Sequence, residues 1–448
     1  MTQTALPRAT PESQGVPSSA IGALIEAFQV AQHDIHSFML LRHGQIIAEN
    51  WWHPYTPDRK HQLYSLSKSF TSTAAGFAVQ EGLFSLDDAV NSFFPDKTQT
   101  DPRMRVRDLL AMATGHETVP EVWESHDWAE EFLRHPVEHQ PGTHFVYNTP
   151  ATYMVAAILH RLTGEDLVDY LKPRLLDPLG IDGSTWERCP LGIRTGGFGL
   201  SLRTEEFAKF GQFYLQKGVW EGQRLLPESW IKEATSKQVS NGDDPNNDWA
   251  QGYGFQFWRC KGGAYRGDGA FGQYCVVSEE HDMVVAITSG VSDMQAVLDL
   301  IWSFFSFTGK GEAPEHLELR GPVAAQPPRE VKKTYDLLEI EGDLETVRLR
   351  LGEHKITAAY GEWGPEGKTA YQSAMPTRYG PGEPTPYRAQ AAWTGPDELT
   401  IRIAYIETPF HPWLVLKFGD GTCAFQSKGP ISLFDGGDRP EQVATETR

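Results

Sequence analysis

Patterns typical of β-strands occur at two widely separated places in this 448-residue chain. The first, SFMLLRHGQIIAENWW (37–52), has two apolar runs around His43-Gly44-Gln45 and predicts a β-hairpin. The second (252–290) contains GYGFQFWRC, FGQYCVVS and MVVAITSG, the last two separated by a hairpin-length loop. The residues between these places have mainly helical patterns. They predict an α+β fold, in which one antiparallel sheet is assembled from both ends, with helices on its faces and an inserted helical lobe.

Residues that favour helix ends mark several helices. SSAIGALIEAFQVAQ (18–32) predicts a helix with Ser18 or Ser19 as its N-cap. From Ser65 to Gln80 the pattern is again helical, with apolar side chains along one face. Two further helical segments end in a glycine positioned as a C-terminal cap: VRDLLAMATG (106–115) and ATYMVAAILHRLTG (151–164).

A change of composition after Gly309 predicts a second domain. The stretch TGKGEAPEHLELRGPVAAQPPRE is rich in Pro, Gly and charge, which is typical of a linker. We therefore expect a first domain over 1–310, a linker over 311–330 and a small all-β domain, sandwich or barrel, over 331–448. Short alternating patterns predict the strands of that domain: TVRLRLG, ELTIRIAYIE and PWLVLKFG.

Charge and the N-terminal sequence exclude some partners and locations. The net charge of −19 argues against nucleic acid and anionic membranes as partners, because both would repel the chain. The N-terminus, MTQTALPRATPESQGVPSS, lacks the basic region and apolar core of a secretory signal. There is also no apolar run of membrane-spanning length. A cytoplasmic location is therefore expected.

The segment YSLSKSF (64–70) places Ser65 and Lys68 three positions apart where a helical pattern begins. Residues i and i+3 share a helix face, so the Lys68 amine can reach the Ser65 hydroxyl. Acting as a base would require burial or a neighbouring cation to lower the pKa of the lysine. A serine at a helix start also has its backbone N–H among donors that can bind an oxyanion. Taken alone, the spacing is more typical of a solvated lysine.

Three later segments change that balance: PGTHFVYNTPATYMVAAILHRLTG, GGFGLSLRTEEFAKFGQFYLQKGVWEGQRLLPESWI and YRGDGAFGQYCVVSEEHDMVVAITSG. Together with the Ser-x-x-Lys motif they resemble the serine β-lactamase-related superfamily, which includes class C β-lactamases, D-alanyl-D-alanine carboxypeptidases, esterases and 6-aminohexanoate-dimer hydrolases. The resemblance covers about residues 15 to 308. It implies the β-lactamase/transpeptidase-like fold and a serine hydrolase that needs no cofactor and acts on a small ester or amide.

The resemblance also implies roles for individual residues. Ser65 matches the nucleophile that becomes acylated, and Lys68 matches the base beside it. Tyr147 matches the tyrosine that moves a proton between nucleophile and leaving group. Gly269 matches the glycine of the third motif, where a substrate is expected to lie against the strand edge. The backbone N–H groups of Ala270 and Ser65 would then form the oxyanion hole.

Two positions depart from the family pattern. Where the family has Asn two residues after the tyrosine, this chain has Thr149, with Asn148 one position early. Both are expected to face the substrate. The third motif usually begins with Lys-Thr or His, whereas Gly267 and Asp268 stand here, after Arg266. Asp268 would repel the carboxylate of penicillin-type substrates unless Arg266 turns inward, so ester or amide hydrolysis is favoured over β-lactamase activity.

No metal site is expected. The histidines of the first domain show no metal-binding motif, and the His135/His139 pair straddles Pro136, which disfavours a helix. The cysteines have no metal-like spacing either, and we expect buried or idle thiols. The residues considered were His53, His61, His116, His126, His135, His139 and His144, with Cys189, Cys260, Cys275 and Cys423.

One alternative to an enzyme remains open from the sequence. A catalytically silent member of the superfamily could bind peptides or act as a sensor, with the β domain as its recognition surface. The presence of Ser65, Lys68 and Tyr147 argues against it, because a binding module does not need them. Several tryptophans could line an apolar pocket, but core or surface roles are expected for each: Trp51, Trp52, Trp123, Trp128 and Trp258.

Overall fold

The computed structural model describes residues 5–97, 101–370, 372–373, 384–429, 431–432 and 441–447. Contacts divide the chain into two compact units, Met1–Asn50 with Gln62–Glu315 and Trp51–His61 with His316–Arg448. The second unit therefore includes an early segment that the sequence analysis assigned to the first domain. The predicted linker, 311–330, begins in the first unit and ends in the second.

Main-chain bonds explain why the early segment belongs to the second unit. The N–H of His53 donates to the carbonyl of Leu317 (2.8 Å), and the N–H of Leu319 donates to the carbonyl of His53 (2.9 Å). Tyr55 is buried in one cluster with Leu319 and Trp363. These contacts join residues that are far apart in sequence, which local patterns do not reveal.

The helices and strands up to residue 310 alternate with many loops. The helices are α1 (Ser18–Val30), α2 (Ser67–Gln80), α3 (Val106–Leu110), α4 (Trp128–Arg134), α5 (Thr149–Thr163), α6 (Leu167–Leu171), α7 (Asp177–Leu179), α8 (Thr204–Leu215), α9 (Glu228–Thr235) and α10 (Met294–Phe304). The strands are β1 (Ile35–Arg42), β2 (Gln45–Trp51), β3 (His61–Gln62), β4 (Ser201–Leu202), β5 (Val219–Trp220), β6 (Gln223–Arg224), β7 (Trp258–Arg259), β8 (Tyr265–Gly269), β9 (Gln273–Ser278) and β10 (Met283–Ser289). A 3₁₀ turn, Tyr64–Leu66, directly precedes α2.

The main sheet has the strand order β2-β1-β10-β9-β8-β7, which confirms a sheet assembled from both ends of the region. β1 pairs antiparallel with β10, with Phe38 opposite Ile287 and Leu41 opposite Val284. Phe28 of α1 packs on Phe38, whereas α8 packs on the other face. A Cβ on Gly211 of α8 would lie 2.6 Å from Val284, so glycine permits this close approach. Because both faces are covered, every residue of β10 is buried.

Two predicted helix ends differ from the structure. The N-cap of α1 is Pro17, so neither Ser18 nor Ser19 has that position, and the Ser18 N–H is bound instead by the Glu12 carboxylate (2.8 Å). α3 ends at Leu110 and does not reach Gly115, because the backbone turns left-handed at Met112 (φ 58°). At the end of α5, by contrast, Gly164 has the predicted left-handed conformation (φ 69°).

The predicted strand over 252–260 is also mostly irregular. Only Trp258–Arg259 pairs with β8, since the chain turns left-handed at Gln256 (φ 65°) just before it. Within the described ranges, no helix has the length and apolarity needed to cross a membrane.

The second unit is all-β, as predicted. Its strands are β11 (Val331–Thr334), β12 (Leu338–Gly342), β13 (Thr346–Leu351), β14 (His354–Tyr360), β15 (Gly367–Thr369), β16 (Gln372–Ser373), β17 (Thr385–Gly395), β18 (Glu398–Tyr405), β19 (Trp413–Gly419), β20 (Thr422–Lys428), β21 (Ile431–Ser432) and β22 (Gln442–Thr445). The large sheet has the order β11-β12-β13-β14-β17-β18-β19-β20-β22. It curls until its two ends meet at a bridge between Tyr335 and Glu446.

Candidate active site

Ser65 of the Ser-x-x-Lys motif lies in the 3₁₀ turn, and helix α2 carries Lys68 and is buried from Ser67 to Ala78. This burial is unusual because many of the buried residues are serines and threonines. Most of their hydroxyls form hydrogen bonds. Ser69 donates to the Gln256 carbonyl (2.8 Å), and Thr71 donates to the Gly196 carbonyl (2.8 Å). Hydrogen bonds of this kind offset the cost of removing hydroxyls from water. The surroundings of Lys68 are therefore desolvated by packed polar groups as well as by apolar side chains.

Ser65 and Lys68 lie in contact at the start of this helix. The Lys68 amine is 2.9 Å from the Ser65 hydroxyl and 2.7 Å from the carbonyl of Gly197. The lysine is only 1% exposed. Burial lowers the pKa of Lys68 to about 7, although the Asp268 carboxylate raises it in part. A large fraction of this amine is therefore neutral at neutral pH and able to accept a proton.

Tyr147 lies two residues before α5 and completes the group. Its ring centroid is 5.0 Å from the Lys68 nitrogen. Burial raises the pKa of Tyr147 above its ordinary value, and the nearby Ser65 hydroxyl opposes that shift. The phenol therefore keeps its proton at neutral pH. The structure thus brings together the three residues that the sequence analysis assigned to catalysis.

Ser65 and Ala270 each follow or precede a residue with left-handed backbone. Tyr64 has φ 49° and Phe271 has φ 65°, conformations that are strained for large side chains. Their rings pack edge to face, with centroids 5.5 Å apart. This contact links the turn that bears Ser65 to the turn that bears Ala270. Ser65 is the second residue of its 3₁₀ turn, so its N–H lies among the donors that lack an acceptor within the turn.

Gly269, at the end of β8, meets the same turn from the other side. A Cβ at this position would lie 2.1 Å from the carbonyl oxygen of Leu63, so no larger residue fits without a main-chain shift. The close approach that requires glycine is therefore made by the protein's own backbone, whereas the sequence analysis attributed it to a substrate.

Asp268 is buried and paired with Arg266. The Arg266 guanidinium donates to the Asp268 carboxylate (2.7 Å), and the two side chains are 0% and 7% exposed. Burial raises the pKa of Asp268, and the Arg266 charge opposes this. Because Arg266 turns inward, the repulsion expected between Asp268 and a substrate carboxylate has lost its basis. The stated reason for disfavouring β-lactams is corrected accordingly.

The two residues after Tyr147 differ in position. Asn148 is fully buried, and its side-chain oxygen accepts the Ala151 N–H (3.1 Å) as the N-cap of α5. Its amide nitrogen donates to Thr114 (3.3 Å). These bonds give Asn148 a structural role in place of the substrate contact expected from the sequence. Thr149 instead lies against Gly197, where an added Cβ would be 2.7 Å from the threonine methyl and 3.6 Å from the Lys68 nitrogen.

Two participants in the site were missed by sequence reasoning. Trp258, expected to be a core or surface residue, stacks on the ring of Tyr147 with centroids 5.2 Å apart. Gly197, in the GGFGLS segment, supplies the carbonyl that binds Lys68. The glycine pair of that segment was a signal for a close main-chain approach, but nothing in the local sequence distinguishes Trp258 from other tryptophans. The cysteines are free and buried, as expected.

Comparisons with known proteins identify the family and the fold. The Beta-lactamase family model matches residues 25–293. The 6-aminohexanoate-dimer hydrolase of Paenarthrobacter ureafaciens is 25% identical over 288 residues, which is 57% of this chain and 73% of the relative. A family VIII carboxylesterase structure has a TM-score of 0.53 at 16% identity and covers 67% of this chain and 98% of its own. The structure of SurE with D-Leu has a TM-score of 0.55 at 15% identity and covers 97% and 100%.

Proposed function

Since the chain belongs to the beta-lactamase family, we propose that it is a serine hydrolase that cleaves a small ester or amide through an acyl-enzyme on Ser65. The observation that carries the proposal is the 2.9 Å contact between the buried Lys68 amine and the Ser65 hydroxyl. A lysine with a pKa of about 7 is matched to proton transfer at neutral pH.

In the first step, the neutral Lys68 amine accepts the hydroxyl proton as the Ser65 oxygen attacks the substrate carbonyl carbon. The Gly197 carbonyl accepts an N–H of this amine at 2.7 Å, which supports an orientation with the lone pair toward Ser65. Attack moves the carbonyl π electrons onto oxygen and gives a tetrahedral oxyanion. We assign its stabilisation to the N–H groups of Ser65 and Ala270, and the Tyr64–Phe271 contact supports that assignment.

Collapse of the oxyanion then breaks the bond to the leaving group. The leaving oxygen or nitrogen takes a proton from the Tyr147 phenol, and Lys68 replaces that proton. The raised pKa of Tyr147 favours the protonated phenol as the resting state. Water next attacks the acyl-enzyme and gives up a proton by the reverse route, which releases the acid and restores Ser65.

The ester and amide classes both have support among the relatives. The 25%-identical relative is named as a hydrolase of the 6-aminohexanoate dimer, an amide. Lovastatin esterase of Penicillium rubens is 29% identical over 153 residues, which is 27% of this chain and 38% of the relative. A panel of p-nitrophenyl esters, D-alanyl amides and nitrocefin would separate the ester, amide and β-lactam classes.

A fluorophosphonate probe tests the proposed nucleophile directly. The wild-type protein should form a covalent adduct, and peptide mass spectrometry should locate it on Ser65. Ser65→Ala should abolish both labelling and turnover, with the melting temperature little changed because the side chain is small and partly exposed. Ser67→Ala is a matched control, since Ser67 is buried and donates to the Tyr64 carbonyl. A folded wild-type protein that stays unlabelled would favour the silent, binding alternative.

A further inference from the structure

Hydrogen bonds hold two loop segments of the first unit side by side, and the second of them leads into Tyr147. The N–H of His139 donates to the Gly115 carbonyl (2.8 Å), and the N–H of Gly142 donates to the Ala113 carbonyl (2.7 Å). The N–H of Glu117 donates to the carboxylate of Glu138 (3.0 Å). Three cross-links of this kind fix the relative positions of the segments around residues 113–117 and 138–142.

Three potential metal ligands meet where these segments pair. One carboxylate oxygen of Glu117 bonds to Nε2 of His139 and lies 3.8 Å from Nε2 of His144. Ligand atoms of the three side chains all lie within 4.8 Å of one another. The two imidazole rings stack, with centroids 4.0 Å apart and planes 26° apart. Both Nε2 atoms thus lie near one carboxylate oxygen of Glu117.

We propose that Glu117, His139 and His144 form a binding site for a transition-metal ion of the Zn²⁺ class. Tetrahedral zinc with bond lengths of about 2.0–2.1 Å holds its donor atoms roughly 3.4 Å apart, so the stacked rings must rotate to bring both Nε2 atoms onto one ion. The Glu117 side chain is 59% exposed and the histidine side chains are 38% and 39% exposed. The Glu117 side chain can therefore rotate and bind the ion through a carboxylate oxygen, and a water molecule can fill the fourth position.

The donor set selects among ions. Two imidazoles with one carboxylate suit Zn²⁺, Co²⁺, Ni²⁺ or Cu²⁺, whereas Mg²⁺ and Ca²⁺ prefer sites built from oxygen alone. The main-chain bonds described above fix the backbone of His139 before the ion arrives, which lowers the entropic cost of binding. An ion would also tie residue 117 to the segment that leads into Tyr147. The spacing of 117, 139 and 144 matches no common metal motif, so local sequence did not reveal the site.

Calorimetric titration of the full-length, tag-free protein with Zn²⁺ in mildly alkaline buffer tests the proposal, because imidazoles bind a metal ion in their deprotonated form. We expect one ion per chain with a dissociation constant in the micromolar range. Co²⁺ in place of Zn²⁺ should give the visible absorption of a four-coordinate ion.

Variants distinguish this site from non-specific binding. His139→Ala and His144→Ala should each weaken Zn²⁺ binding by at least about tenfold, since even outer-shell changes cost 10–100-fold. Glu117→Gln, which keeps the shape and removes the charge, should also weaken it. His126→Ala alters an exposed histidine outside the cluster and should bind as wild type.

Binding is read out independently of hydrolysis, so failure here would leave the proposed activity untouched. Absence of Zn²⁺ binding at submillimolar concentration would overturn the site. So would unchanged binding by a His139→Ala/His144→Ala double variant whose melting temperature without metal equals that of wild type. In either case Glu117 and the histidines would form only a surface ion-pair cluster.

Discussion

The first unit contains two buried basic side chains, Lys68 and Arg266. Both have lost their hydration, but different neighbours contact them. They are 1% and 0% exposed, respectively. Lys68 contacts a hydroxyl and a carbonyl, Ser65 and Gly197. Arg266 contacts the carboxylate of Asp268 at 2.7 Å and the carbonyl of Asp248 at 3.1 Å.

The difference follows from the two cationic groups. An ammonium can lose its proton when burial removes its hydration, and the pKa of Lys68 accordingly falls to about 7. A guanidinium stays charged in proteins, so a buried arginine requires a counter-charge. Desolvation therefore makes the lysine a usable base, whereas the arginine becomes part of a fixed ion pair.

The largest expected effect comes from replacing Lys68 by arginine, the side chain found at the other buried site. Lys68→Arg would place a permanent cation beside Ser65 without a carboxylate in contact, and it could not accept the serine proton. Turnover of a p-nitrophenyl ester should fall by at least about 10³-fold, with loss of fluorophosphonate labelling. An arginine variant that keeps a tenth of the wild-type rate would remove Lys68 from the role of base.

The next prediction concerns the ion pair between Arg266 and Asp268, which removal of the guanidinium disrupts. Arg266→Met should lower the free energy of unfolding by about 3–5 kcal/mol, because it leaves the Asp268 carboxylate buried without its partner. Urea unfolding followed by tryptophan fluorescence would measure this loss. The double variant Arg266→Met/Asp268→Leu removes both charges and should recover most of the stability. If the single variant is as stable as wild type, the ion pair is not a structural requirement.

Asp268 interacts with both basic side chains, since it pairs with Arg266 and raises the pKa of Lys68. The pH dependence of activity tests this interaction. The Asp268 carboxylate raises the pKa of Lys68, so Asp268→Asn should lower that pKa further. The base is active when deprotonated, so kcat/KM rises with pH through about 7 in wild type. In the variant this rise should move to lower pH.

The same variant also separates charge repulsion from pairing. Since Asp268 is bound to Arg266, hydrolysis of a neutral ester and of nitrocefin should change by similar factors in Asp268→Asn. A selective gain with nitrocefin would show that Asp268 repels the substrate carboxylate, as first expected from the sequence. A rise in kcat/KM that moves to higher pH would contradict the coupling to Lys68.

The smallest expected effect concerns Trp258, whose ring stacks on that of Tyr147 with centroids 5.2 Å apart. Trp258→Phe keeps an aromatic ring against Tyr147 but makes the stacked surface smaller. An aromatic pair contributes about 0.5–1.5 kcal/mol beyond its buried area, so kcat should fall by roughly 2- to 10-fold. Trp249→Phe, which changes a ring 4.6 Å from the Arg266 guanidinium, should leave kcat nearly unchanged. Equal losses in both variants would indicate a general packing effect.

Much of the first unit could be predicted because its signals are local. The hairpin at His43-Gly44, the cap at Gly164 and the apolar strands near 273–289 all depend on neighbours within a few residues. The prediction of α3 as far as Gly115 was wrong, because the backbone turns left-handed at Met112, whose carbonyl accepts the N–H of the distant Val146 (3.0 Å).

The sequence by itself determined which residues could react: a serine and a lysine three apart, a tyrosine before a helix, and strands from both ends that must pair. Only the tertiary structure decided their chemical state. The pKa of Lys68 depends on its burial, and the Gly197 carbonyl that binds its amine comes from a segment more than a hundred residues away. Likewise, Arg266 turns inward and pairs with Asp268, so a carboxylate expected to repel substrates is part of a buried ion pair. Residue identity is local, whereas desolvation and charge pairing depend on what the whole fold brings together.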